Sequence, residues 1–211
     1  MPWPVPAHNR VTPLGDLAAI PLRGAWTGNR GRLHEGREVV RFQAGDLWIV
    51  CALRFNDRWH EQWQPRHFTW LYFHDEAVAF AAGHRPCGEC RHADYVAFRD
   101  AWGAAGLDGA PRPSAGEINR RLHGERIVRG THRRRFHRAG WSELPDGAFV
   151  VTGDGIPALV LGHELVAWGH GGYGARRARP RRGSATVITP PSTIAAIRAG
   201  YTPQIDPSAR A

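Results

Sequence analysis

The sequence predicts an α+β chain in which a small mixed unit is followed by a helix and a short antiparallel β-meander. Short runs of β-branched and aromatic residues, bounded by turn residues, recur between Leu47 and Trp168 and read as strands. Between them, the segments starting at Asp75 and Ala93 carry helix caps or helical spacing. In the second half, three strand-like runs are separated only by Gly-Asp-Gly and Gly-His turns, and connections that short join antiparallel neighbours.

Taken in order, residues 1–10 are Pro-rich and read as an extended arm, with order beginning near Val11. Leu47 to Phe55 reads as a buried strand that ends in the turn Asn56-Asp57, and Phe68 to Phe73 as a second strand. Asp75 stands at a helix N-cap position before Glu76 to Ala82, and Gly83 stands at C′. Tyr95, Phe98 and Trp102 then give Ala93–Trp102 one apolar helical face, stopped at Gly103. The turn-rich stretch Gly106 to Pro113 divides a unit over 11–105 from a second over 114–202. Ser114 and Glu117 form a capping-box pattern for a helix to about Val128, and an Arg/His-rich segment follows. Strands are expected at Ala148–Thr152, Ala158–Leu161 and Glu164–Trp168, then a Gly/Arg-rich loop from Gly169 to Gly183, a strand at Thr186–Ile188, a helix capped by Ser192 through Ala199, and a loose tail from Pro203.

The chain has 211 residues, 42% of them apolar and 22% charged, a composition that excludes wholesale disorder. Its longest apolar stretches, Leu47–Leu53 and Ala77–Ala82, fall well short of the ~20 residues that cross a bilayer, and the N-terminus has no signal-peptide pattern. Three cysteines make no disulfide framework, so a cytoplasmic location is expected. The 28 basic residues, every one an arginine, outnumber 19 acidic ones and leave a net charge of +9, which favours a polyanionic partner, nucleic acid first. Nine Trp and eight Phe offer faces on which unpaired bases could stack.

The strongest local signal is Arg85-Pro86-Cys87-Gly88-Glu89-Cys90-Arg91. Two thiols separated by two residues can bind one ion tetrahedrally, and the flanking arginines favour thiolate. A redox dithiol is the competing reading, but such a pair opens a helix after a strand, whereas this one follows a helix end. Half a Zn2+ site is therefore expected at Cys87 and Cys90. Cys51 and His123 are taken as its further ligands, with His60, His67, His74, His84 and His92 as the other available imidazoles.

Glu76 to Arg91, and AAGHRPCGECR within it, resembles the second half of the zinc domain of Ada-type DNA alkylation-repair proteins, whose pattern there is A-A-G-F-R-P-C-x-x-C. The likeness covers roughly residues 47–91 and is specific for the cysteine loop. It implies a small zinc-organised α+β unit that meets DNA rather than RNA, and carries Cys87 and Cys90 over as ligands. That family holds zinc by four cysteines, one of which accepts a methyl group from a DNA phosphotriester. The earlier pair has no counterpart in Arg58–Pro65, where His60 lies near one ligand place, so no methyl acceptor is implied. The wider pattern, with Gly28-Asn29-Arg30-Gly31 early and Thr189-Pro190-Pro191-Ser192 late, resembles that of bacterial proteins.

An alternative is a zinc-dependent hydrolase or deaminase acting on a nucleobase, since Pro86-Cys-x-x-Cys90 is the cysteine half of the nucleobase-deaminase signature. The H-x-E triplets His74-Asp75-Glu76 and His123-Gly124-Glu125 lie at unfavourable positions for its other half, and no catalytic residue is assigned. Arg30, Arg85, Arg91, Arg129, Arg133, Arg134 and Arg135 are the expected nucleic-acid contacts, and Arg176 to Arg182 is a second basic run. Gly169 to Gly174 matches G-x-G-x-x-G only by letter, because no helix can follow it before Pro180. No P-loop, G-x-S-x-G or H-E-x-x-H is present.

Overall fold

A computed structural model describes residues 7–57, 61–131 and 133–211. In chain order the elements are β1 (Arg10–Val11), β2 (Leu17–Ala18), β3 (Trp26–Asn29), β4 (His34–Glu35), β5 (Glu38–Val39), β6 (Ile49–Cys51), β7 (Leu71–Phe73), α1 (Glu76–Ala81), β8 (Arg85–Pro86), α2 (His92–Ala104), α3 (Ala115–Arg126), β9 (His137–Gly140), β10 (Phe149–Val151), β11 (Pro157–Leu161), β12 (Glu164–Gly169), β13 (Gly172–Ala178), β14 (Ser184–Val187) and α4 (Pro191–Arg198). The fold is α+β. A mixed sheet has the order β2-β1-β7-β3-β6-β8, an antiparallel sheet the order β13-β12-β11-β10-β14-β9, and β4 and β5 form a separate hairpin.

Helix α1 joins the two sheets. Every residue of it is buried, because Ala79 and Phe80 pack with Val50, Leu71, Phe73, Phe98 and Trp102, while Ala77, Val78 and Ala81 pack with Phe149, Leu159, Val166 and Trp168. Both apolar clusters draw residues from either side of the 106–113 connector. Burial on all sides deprives the helix ends of water, so their backbone groups need protein partners. Asp75 accepts from the Val78 N–H at 2.8 Å, as expected of the N-cap, and the Gln204 carbonyl accepts from the Glu76 N–H at 3.1 Å. At the other end the Gly83 N–H donates to Phe80 O and the His84 N–H to Ala79 O, a Schellman pair made possible by φ +89° at Gly83. Arg134 donates to the carbonyls of Ala82 at 2.7 Å and Ala81 at 2.6 Å, and Arg126 to that of Gly83 at 2.8 Å.

Several expected elements take a different extent. The first predicted strand narrows to β6 and the second to β7, since each pairs only where a neighbour lies beside it. Helix α2 runs through Gly103 to Ala104, and a Cβ at Gly103 would lie 1.9 Å from the Pro111 carbonyl oxygen, so glycine serves close packing there rather than termination. The stretch Gly169–Gly183 contains strand β13 where a loop is expected, its register set by pairs such as Gly169↔Gly172 and Val166↔Arg176. Most of β13 is exposed, and arginines on an outer strand hide the period-2 pattern while discouraging edge-to-edge association. Ser192 does not cap α4. Pro190 is the N-cap and Pro191 stands at N1, while the Ser192 hydroxyl bonds Glu125 on α3 at 2.5 Å. The tail from Pro203 is tied down at Gln204 and Asp206. Among the described residues no helix is long and apolar enough to cross a membrane.

Arg134→Ala leaves two buried carbonyls at the end of α1 without these donors, and stability should fall by about 2–6 kcal/mol, at roughly 1–3 kcal/mol per unsatisfied group. Urea unfolding followed by tryptophan fluorescence measures this, and Arg134→Lys should recover only part of the loss.

Candidate metal centre

Strands β6 and β8 lie side by side in parallel, with Val50 opposite Pro86. The next residue along each strand is a cysteine, and the Cys87 N–H donates to the Val50 carbonyl at 2.9 Å, which extends the ladder to bring Cys51 and Cys87 together. The loop Cys87-Gly88-Glu89-Cys90 then turns back toward the same point just before α2 begins. The three Sγ atoms lie within 4.8 Å of one another. A tetrahedral ion with bonds of about 2.3 Å to sulfur needs sulfurs about 3.8 Å apart, so this cradle fits one with little adjustment. Backbone N–H groups already point at the sulfurs, Glu89 N to Cys87 Sγ at 3.5 Å and Ala52 N to Cys90 Sγ at 3.4 Å.

Hydrogen bonding among the three thiols favours charge on Cys87 over Cys51 and Cys90. Hydrogen bonds from Cys51 and Cys90, together with the backbone N–H groups of Glu89 and Cys90, hold the Cys87 thiol down to about 2. The reciprocal bonds to Cys87 and Cys90, with burial, push Cys51 upward. Cys90 is also raised, because its bond to Cys51, which lowers it, is outweighed by its bond to Cys87 and by burial. A divalent cation between the sulfurs removes that conflict, since it stabilises all three as thiolates. The chain can therefore hold a metal ion at Cys51, Cys87 and Cys90.

The centre forms part of the wall of a cavity of about 180 Å³. Phe55, Phe68 and Trp70 give it aromatic faces, Asn29 an amide, and Glu89 a carboxylate. Gly28 lies on the same wall because nothing larger fits: a Cβ there would be 2.1 Å from the Ile49 carbonyl oxygen. Phe68 and Trp70 are read from the sequence as residues of a buried strand. They are instead half-buried around fully buried Thr69, the alternation of an extended segment with one face on the cavity.

The remaining expected ligands go elsewhere. His123 is not in the cysteine cluster; it stands on α3 with Nδ1 3.2 Å from Arg126 Nη2, and burial, then the Arg126 charge, lower its basicity. His84 is fully buried against Arg30, with its pKa pulled down by burial and by neighbouring arginines. His74 accepts a hydrogen bond from Trp168 Nε1 at 3.3 Å, and His92 pairs with the Gly88 carbonyl. His60 lies outside the described residues.

Burial also removes three expected nucleic-acid contacts, and a fourth, Arg134, is half-buried. Arg30 is 0% exposed, donates to Gly15 O, and lies 4.1 Å over the Trp48 ring. Arg85 is buried on Asn119 and the Pro86 carbonyl. Arg91 is buried in an ion pair with Glu76 at 2.7 Å, over the face of Trp26 at 3.9 Å. Arg134 holds the end of α1. These guanidinium groups support the interior, where long cationic side chains persist only with acceptors or aromatic faces around them. Arg129, Arg133 and Arg135 are exposed, as a nucleic-acid contact requires.

Glu76 links α1 to the cysteine loop. It accepts from Tyr201 Oη at 2.8 Å and from the Gln204 N–H at 2.9 Å besides facing Arg91, the residue after Cys90. Burial pushes its carboxyl up, and the Arg91 charge pulls it back. With this geometry in place, no protein-family model, curated protein or solved structure matches the chain.

Two outcomes are expected. Bound metal measured by mass spectrometry should be one ion per chain in the wild type, lost in Cys51→Ala, Cys87→Ser or Cys90→Ser and retained in His123→Ala. Arg91→Met leaves Glu76 charged and unpaired in the interior, and chemical denaturation should show a loss of about 3–5 kcal/mol, most of it restored by adding Glu76→Gln.

Proposed function

We propose that this chain is a zinc-thiolate protein that contacts nucleic acid, with Zn2+ held by Cys51, Cys87 and Cys90 and a base received in the cavity beside it. The observation that carries the reading is the placement of three clustered sulfurs on the wall of an aromatic cavity. Thiolate ligands in a tetrahedral site suit zinc, and three protein ligands leave one coordination position for a further donor. An apolar cavity of about 150 Å³ accepts benzene. A volume of about 180 Å³ thus suits one substituted six-membered ring rather than a larger ligand. Phe55, Phe68 and Trp70 supply stacking faces, and the Asn29 amide, whose Oδ1 accepts from the Gly31 N–H at 3.2 Å, keeps its NH₂ for a base edge. The net charge of +9 and the exposed Arg129, Arg133 and Arg135 favour a polyanion, while the Ada-type resemblance of the cysteine loop supports DNA over RNA and a role in repair or modification.

A second reading, hydrolysis of a nucleobase substituent, is favoured by Glu89, which lines the same cavity as the three cysteines. Zinc held by three protein ligands supplies electrostatic activation at its remaining position. In that reaction Asn29 and the aromatic residues would orient the ring, the apolar wall would exclude bulk water, and the Glu89 carboxylate would take up and return a proton.

The test is binding of fluorescent single-stranded DNA to the zinc-loaded protein. Trp70→Ala should weaken it by about 5- to 150-fold, the equivalent of one lost stacking contact, with zinc content unchanged. Equal affinity in Trp70→Ala removes the base-binding cavity. Mass spectrometry of the recovered oligonucleotide separates the two readings: a product whose amount falls in Glu89→Gln supports hydrolysis, and an unchanged oligonucleotide supports binding alone.

A further inference from the structure

The Arg/His-rich segment after α3 folds back on itself as a narrow hairpin. Ile127 bridges Arg134, the Val128 N–H donates to the Arg133 carbonyl at 2.9 Å, and the Thr131 N–H closes the turn on the Val128 carbonyl at 3.0 Å, with Gly130 at φ +75°. This extended geometry divides the arginines. Arg126 and Arg134 turn inward to the carbonyls at the end of α1, whereas Arg129 and Arg135 turn outward. The outward pair meets Arg120 and His123 of α3 around an open groove of about 660 Å³, completed by Gln43 and Thr131.

No carboxylate lines this groove, and no ion pair among the described residues involves Arg120, Arg129 or Arg135. The two acids of α3 are turned away, Glu117 to Ser114 and Glu125 to Ser192 and Arg121. Behind the wall, Arg126 and Arg30 lie over the Trp48 ring at 4.0 Å and 4.1 Å. Asp46, whose carbonyl accepts from Arg126, is the acid whose charge acts on Arg126 and on His123. The field of these interior cations therefore adds to that of the outer ones, in a concave site that low-dielectric walls help to focus. Gln43 Oε1 is buried with no hydrogen-bond partner at the same wall, and its amide, reversed, would present a donor instead.

We infer that this groove is a phosphate-binding site in which Arg120, Arg129 and Arg135 take the oxygens of a phosphate group, with the Gln43 amide beside them. The phosphate could belong to a nucleic-acid backbone or to a free polyphosphate, which offer the same oxygens. The inference rests on the nucleic-acid reading only for the first of these sources. Arginine forks match phosphate geometry, and each neutralised backbone phosphate releases a counterion.

The experiment titrates zinc-loaded protein with tripolyphosphate by calorimetry and with a fluorescent single-stranded 20-mer by anisotropy at several salt concentrations. It compares wild type, Arg129→Ala/Arg135→Ala, Arg120→Ala, and the control Arg23→Ala/Arg198→Ala, which removes two exposed charges outside the groove and outside the Arg176–Arg182 run. In the groove double variant the affinity for both ligands should drop at least tenfold. The slope of log K against log salt for the 20-mer should shrink by about 1.4, at roughly 0.7 per phosphate contact on a single strand. The control should change far less. Loss of both ligands in the groove variants identifies the nucleic-acid backbone as a source. Binding of tripolyphosphate alone upholds the groove and overturns the nucleic-acid reading. Equal losses in groove and control variants, unchanged binding in the groove variants, or no binding of either ligand by the wild type overturns the site.

Discussion

A short helix buried on every side is the constraint on which the rest of this structure depends. Helix α1 supplies apolar contacts to both sheets, but a helix of six residues leaves most of its backbone groups without partners inside it. The interior therefore has to deliver donors and acceptors to it. Asp75 and the Gln204 carbonyl serve one end, and Arg134, Arg126 and the Gly83 turn serve the other. These partners come from the preceding turn, the end of α3 and the segment after it, and the C-terminal tail, so satisfying one helix ties distant parts of the chain together. Segments from both sides of the 106–113 connector pack onto each face of the same helix.

The arginines take on structural work that shapes the surface. Arg30, Arg85, Arg91 and Arg126 lie inside, and Arg134 is half-buried, all held by carbonyls, aromatic faces or, for Arg91, a carboxylate. Arginine tolerates this better than lysine because its planar group donates in several directions and stacks on rings. Their burial limits what the net charge says about function, since a charge counted in the composition can be inaccessible. It also concentrates positive potential behind α3 and the hairpin that follows it.

The cysteine centre and its surroundings were legible to different degrees. Cys87 and Cys90 announce themselves by spacing, because a loop with two intervening residues can wrap one ion. Cys51 could be named as a candidate but not distinguished from the imidazoles, since its approach to Cys87 depends on the parallel register of β6 and β8. His123 was a reasonable choice by residue type and fails because α3 directs it to Arg126. Phe55, Phe68, Trp70 and Glu89 left no local signature. Each belongs to a different or irregular segment, and only their convergence makes a cavity.

By itself the sequence determined the α+β class, the capped helices α1 and α3, the β10–β12 meander and the C-x-x-C half of the centre. Each of these follows from interactions within a few residues: a cap with its helix, alternation along a strand, a turn between neighbours, two thiols on one loop. Tertiary structure decided strand β13, the seating of the C-terminal tail, the third thiol, and which arginines face inward or outward. Those outcomes depend on pairings across tens of residues and on the need of buried polar groups for partners, which no local pattern encodes.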